Sequence, residues 1–222
     1  MTSPKGPAII IGYGPGVSRA VAEAFAREGY PPALIARNAA KLDAAVKELH
    51  AEDIAAAGFS ADAGDAASLT LAIDAIRAAH GDAEVMLYNA ALWRPGPVLD
   101  TTPESFDADF RVGVTGALVA ARALAPAMIA AGRGTLLFTG GGLALYPSPQ
   151  APSLSVGKAG IRALALMLAQ ELAPRGVCVG TVTIAGEVAP GTPFAPEKIA
   201  QAFLAIHHGP ADPATAEIVF TG

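Results

Sequence analysis

The chain alternates between short apolar runs and longer segments in which apolar residues recur every three or four positions. The first run, residues 8–11, reads Ala-Ile-Ile-Ile; it is β-branched, too short for a helix and stopped by glycines, which predicts a buried strand. After Gly12-Tyr13-Gly14-Pro15-Gly16 the period changes. Val17, Ala20, Val21, Ala24 and Phe25 share one helical face and Arg19, Glu23, Arg27 and Glu28 the other, until Gly29. Further strands are predicted at 33–36, 54–59, 84–88, 135–139, 177–182 and 217–220. Helices are predicted at 39–50 behind an Asn38 cap, from a cap at Asp65 or Ser68 to Gly81, from Pro103 behind Thr102 to 131, at 153–172 and at 197–207. Gly113, Gly116 and Pro126 predict a bend or close packing in the 103–131 helix.

Strands joined by helices run parallel, with both sheet faces covered. The pattern therefore predicts one α/β domain over residues 1–222, a doubly wound parallel sheet of about seven strands. Ligands of such sheets bind beyond the C-terminal strand ends. The segments falling there are 12–18, Arg37-Asn38, Asp62-Ala63, Asn89-Ala90-Ala91, 139–142 and 185–188. At the first of them a helix N-terminus offers unpaired N–H groups to an anion, and glycines admit close approach.

Composition narrows the function classes. At 52% hydrophobic and 16% charged residues, the chain can bury a large core and subunit contacts as well. A net charge of −5 without a basic run argues against nucleic acid. A single cysteine, Cys178, lies in an apolar run; it excludes a disulfide framework and reads as a core residue. Residues 1–7 carry no signal-peptide pattern, and no uncharged apolar run reaches about 18 residues, so a soluble cytoplasmic protein without a membrane span is expected. His207-His208 lack a third ligand at suitable spacing, and no metal is expected.

The order and content of these segments resemble the short-chain dehydrogenase/reductase family over nearly the whole chain, which implies a Rossmann-type fold. The family's glycine motif, T-G-x-x-x-G-[IV]-G, is matched by Gly12, with Gly14 among the variable positions, and by Gly16-Val17; Ile11 and Ser18 stand at its ends. Arg37, at the end of the second strand, replaces the acidic residue that a ribose 2′-OH calls for and offers a fork to a 2′-phosphate, with Asn38 beside it. The resemblance implies NADP(H) as the preferred cofactor, with NAD(H) possible. Asp62 matches the family's adenine-contacting aspartate, or serves only as a turn residue before Gly64. Asn89-Ala90 resemble the family's N-N-A-G segment beside the cofactor, with Tyr88 and Ala91 substituted. Gly186 and Val188, assigned to cofactor binding by the resemblance, fall where the family places its substrate-covering segment, here a short, proline-stiffened lid. The family pairs its two long helices between subunits, which implies a homodimer or homotetramer through 103–131 and 153–172, acting on a small-molecule substrate.

The proton-transfer half departs from the family. Lys158 matches the lysine of the Tyr-x-x-x-Lys pair, but Leu154 stands where the tyrosine belongs. Gly141 takes the place of the substrate-binding serine and Gly113 that of the asparagine. Replacement donors are the loop residue Tyr146, the strand-end Thr139 and Lys158 itself with a lowered pKa. Tyr146 reads first as a loop residue packed on the surface or at an interface, and Thr139 first as a strand former; Ser153 or Ser155 reads as a helix cap, and Trp93 as a pocket wall or a loop anchor. The alternative is a cofactor-binding protein of little or no activity, acting as a sensor or assembly partner.

Overall fold

The computed structural model describes residues 5–222; residues 1–4, part of the segment expected to lack a signal peptide, lie outside the described residues. The first strand, β1 (Ala8–Ile11), is wholly buried and leads through the glycine turn into α1 (Val17–Arg27). β2 (Pro32–Ala36), α2 (Ala39–Ala51), β3 (Ala57–Ser60), α3 (Ala66–His80) and β4 (Val85–Tyr88) complete the first half. The second half holds α4 (Pro103–Phe110), α5 (Gly116–Ala131), β5 (Thr135–Thr139), α6 (Pro152–Leu172), β6 (Cys178–Ile184), α7 (Pro196–His208) and β7 (Glu217–Phe220). The sheet order is β3-β2-β1-β4-β5-β6-β7, with every neighbouring pair parallel. The doubly wound seven-stranded sheet expected from the pattern is the one observed.

The order reverses between β1 and β4, and the chain leaves both strands at the same end. One apolar layer packs α3, α5 and α6 on the sheet, and the other packs α1, α2 and α7. His207 lies in the second layer between the Tyr30 hydroxyl and Thr135, at 3.0 and 2.9 Å. Burial pushes its pKa down to about 4 and keeps it neutral.

Several boundaries differ from the sequence expectation for identifiable reasons. β3 begins at Ala57 rather than Ile54, because Asp53 takes a left-handed turn (φ 61°) and the Ile54 N–H still bonds the Leu49 carbonyl at the end of α2. Asp65, not Ser68, caps α3, accepting from the Ala67 and Ser68 N–H groups. β6 runs on to Ile184. The 103–131 helix is continuous but widens at one turn, Arg111–Thr115, where Tyr88 donates to the Val112 carbonyl; Pro126 sits within α5 without ending it. Neither Ser153 nor Ser155 caps α6: the helix starts at Pro152, Ser153 bonds Asp109, and Ser155 bonds the Ala151 carbonyl. By length and composition alone the Pro103–Ala131 stretch could cross a membrane. In this fold Ala117, Ala121, Leu124 and Met128 of that stretch pack against the sheet layer.

Candidate functional site

Three adjoining hollows, of about 530, 250 and 580 Å³, form one cleft along the C-terminal strand ends. The first lies between the glycine turn and α2 and is lined by Tyr13, Gly14, Arg37, Asn38 and Lys41. The second is lined by Gly12, Arg37, Asp62, Asn89 and Ala90. The third is lined by Val17, Asn89, Thr139, Tyr146, Leu154, Lys158, Gly186 and Val188, among others.

The glycine turn is built from distinct kinds of position. Gly12 has φ +79°, and a Cβ there would stand 2.5 Å from the Ala90 nitrogen. Its N–H bonds the Ile35 carbonyl at 2.9 Å, and its carbonyl accepts from the Asn89 side chain at 3.1 Å. Gly12 and Asn89 therefore clamp the switch point between β1 and β4. A Cβ on Gly14 or Gly16 would meet nothing within 4 Å, so these two face open space. Ser18 is buried; its hydroxyl accepts from the Gly14 N–H and donates to the Gly14 carbonyl, closing the turn from inside. The first turn of α1 carries no acidic residue and no side-chain cap, leaving its positive end open to the cleft.

At the α2 end, Asn38 caps the helix through the Lys41 N–H. Arg37 is exposed and, among the described residues, has no ion-pair partner. Arg19 is instead engaged by Glu23, Glu48 and Glu52. Asp62 lines the second hollow and accepts the Gly64 N–H at 2.8 Å, the hydrogen bond of a turn residue.

At the other end, Lys158 Nζ donates to the Thr139 carbonyl at 2.7 Å. Desolvation pushes its pKa down to about 8, although part of the side chain still faces the cleft. The three substituted positions converge on this lysine. A Cβ on Gly141 would lie 3.4 Å from the Lys158 side chain. Gly113, Leu154 and Lys158 border the same small enclosed space. Tyr146 borders the cleft, but its ring is 78% exposed. Gly186 packs closely under the half-buried Phe194 ring, which a side chain at this position would have to displace.

Two buried hydroxyls, Tyr13 Oη and Thr139 Oγ1, have no hydrogen-bond partner among the described residues, and both belong to residues lining the cleft. Sequence reasoning did not single out Tyr13, although it stands inside the glycine motif. It also missed Asp109, a buried carboxylate on the rim of the Lys158 space, which bonds Arg94 and Ser153. The signal for Asp109 was an acidic residue in a sparsely charged chain.

A family model described as short chain dehydrogenase matches residues 7–197. A D-threitol dehydrogenase of Mycolicibacterium smegmatis is 27% identical over 176 residues, covering 79% of this chain and 68% of that protein. A sorbitol dehydrogenase of Cereibacter sphaeroides is 35% identical over 127 residues; the match takes in 57% of this chain and spans about half (48%) of that protein. The crystal structure of a metagenomic short-chain oxidoreductase in complex with NADP has the same fold, with a TM-score of 0.84, 24% identity and 98% of both chains covered.

Proposed function

Because this chain belongs to the short chain dehydrogenase family, we propose that it is an NADP(H)-dependent oxidoreductase acting between a carbonyl and an alcohol through an altered proton-transfer site. The observation that carries this reading is one continuous cleft with an unpaired arginine at one end and a desolvated lysine at the other. The residues present fit a dinucleotide. Gly14 and Gly16 leave room that a pyrophosphate would fill, and the open start of α1 favours its charge. The hydroxyls of Tyr13 and Thr139 lack partners that a bound ligand would supply. Arg37, Asn38, Asp62, Asn89 and Ala90 would hold the adenosine half. Val17, Lys158, Gly186 and Val188 would hold the nicotinamide half. When bound, the nicotinamide supplies or accepts the hydride.

The chain's own contribution is then binding, orientation and a proton. Leu154 cannot exchange a proton, and Gly141 offers the substrate no hydroxyl. Lys158 keeps its proton at neutral pH but holds it less tightly than a solvated lysine, so it can hydrogen-bond and protonate a developing alkoxide. Leu143, Leu154, Ile184 and Val188 make the surrounding wall apolar, which strengthens that interaction. Leu118, Val156 and Met167 leave apolar surface exposed on α5 and α6, which supports pairing of two copies through these helices.

A screen of ketones and aldehydes with NADPH tests the assignment. Turnover should fall at least 100-fold in Lys158→Ala and stay within threefold of wild type in Tyr146→Phe. The reverse pattern would make the loop tyrosine the donor. Nucleotide binding without turnover of any carbonyl would favour the second reading, a cofactor-binding sensor or assembly partner, which Gly113, Gly141 and Leu154 support.

A further inference from the structure

Next to the Lys158 space lies a polar cluster that the reading above does not use. The Asp109 carboxylate is 3% exposed and belongs to α4. Arg94, on the loop after β4, donates to both of its oxygens, from Nε at 3.1 Å and Nη2 at 3.2 Å. Ser153, in the first turn of α6, donates its hydroxyl to the same carboxylate at 2.6 Å. Burial opposes ionisation of Asp109, but Arg94 and Ser153 outweigh it and hold its pKa below the usual carboxylate value. One buried anion thus joins three segments. Asp109 also borders the enclosed space shared by Leu92, Gly113, Leu154 and Lys158. The loop has a second tie, from the Gly96 N–H to the Gln150 carbonyl at 3.0 Å, which fastens it to the segment leading into α6.

An ion pair between a buried carboxylate and a half-exposed guanidinium is a weak source of stability, because desolvation on one side and solvent screening on the other offset most of the attraction; its firmer effect is on geometry. A bidentate guanidinium fixes both distance and plane. Ser153 precedes Leu154 and lies five residues before Lys158, so holding it fixes the turn from which that part of the site projects. We propose that Asp109 is a positioning residue for the Lys158 centre. Through Ser153 it sets the first turn of α6, and through Arg94 it seats the 92–97 loop against that side of the cleft. This rests on the reading that the Lys158 end receives substrate, but its structural content is testable without nucleotide.

The protein carries its own reporter, since Trp93, next to Arg94, is the only tryptophan in the chain. Trp93 is already 68% exposed, so it reports the motion of the loop rather than its accessibility. In Asp109→Asn the steady-state fluorescence anisotropy of Trp93 should fall by at least a third. Amide exchange across residues 92–97 and 153–158 should be at least tenfold faster, with exchange in α1 unchanged. Arg94→Lys, which keeps the charge but loses the fork, should fall between Asp109→Asn and wild type. If Asp109→Asn does not fold, Arg94→Ala removes the same tie from the half-exposed side and should show the same fall in anisotropy. Wild-type anisotropy and exchange in a folded Asp109→Asn, or in Arg94→Ala, would overturn the proposal. Failure of the wild type to bind NADPH would defeat the cofactor reading and, with it, the functional meaning of the Lys158 centre, whereas anisotropy and exchange decide whether Asp109 holds the loop and the start of α6.

Discussion

Gly12→Ala should destabilise the protein by about 3 kcal/mol or more, while Gly14→Ala and Gly16→Ala should melt like the wild type. The three glycines share a motif but not a reason. At Gly12 the backbone is left-handed, which costs a residue bearing a Cβ about 1–2 kcal/mol. The new methyl would also stand 2.5–2.6 Å from the Ala90 backbone, on the strand end that pairs with β1. Relief of that clash would open the Gly12–Asn89 clamp at the switch point. At Gly14 and Gly16 a methyl meets no protein atom; at Gly14 it would project into the first hollow, and at Gly16 it would stand at the open start of α1. These two substitutions should therefore weaken nucleotide binding at least tenfold without lowering stability. Chemical denaturation paired with nucleotide titration separates the two effects. Equal destabilisation by all three would show that the turn is only a structural turn.

Lys158→Met should stabilise the protein by about 1 kcal/mol at pH 7, although it removes the residue assigned to proton transfer. The folded-state pKa is about 8, below the ordinary lysine value of 10.5. The folded protein therefore binds fewer protons than the unfolded chain between these values. Stability consequently rises as pH increases from 8 to 10.5, and below pH 8 the full penalty of a desolvated ammonium remains. The shift corresponds to about 3 kcal/mol, reduced because part of the side chain faces the open cleft. Losing the hydrogen bond to the Thr139 carbonyl takes back about 1 kcal/mol. Urea titrations at pH 7 and pH 10 should show the advantage of the methionine variant at pH 7 gone by pH 10. A variant less stable at pH 7, or a pH-independent difference, would show that the ammonium is well solvated. A cation kept in place against stability is the mark of a site retained for function.

The parts of this fold that follow from local pattern were legible in the sequence. Three isoleucines closed by glycines made β1, and the change of period after Gly16 made α1. Asn38 and Thr102 capped the helices they precede, since a cap acts within three residues. What local pattern cannot show is pairing at long range. Arg94, Asp109 and Ser153 are 15 and 44 residues apart, and nothing in their spacing foretells one buried cluster. Ser153 was misread as a cap because its partner lies on another helix. β3 began late because Asp53 turned left-handed, a choice rare for a residue other than glycine. Of the three positions read as a bend or close packing, Gly113 lies in the widened turn and Gly116 packs against the Ala63 carbonyl and the Tyr88 hydroxyl, while α5 runs through Pro126. For the site, alignment of motifs located Lys158 and the three substituted positions around it, and the folded chain brought them together.

The central claim is that the cofactor half of this site is intact and built for a 2′-phosphate. Titration of the protein with NADPH and NADH, followed by nicotinamide fluorescence at one ionic strength, tests it directly. NADPH should bind at least tenfold more tightly than NADH, and Arg37→Ala should remove that preference while leaving NADH affinity within twofold. Absence of binding by either nucleotide, or tighter binding of NADH, would contradict the account.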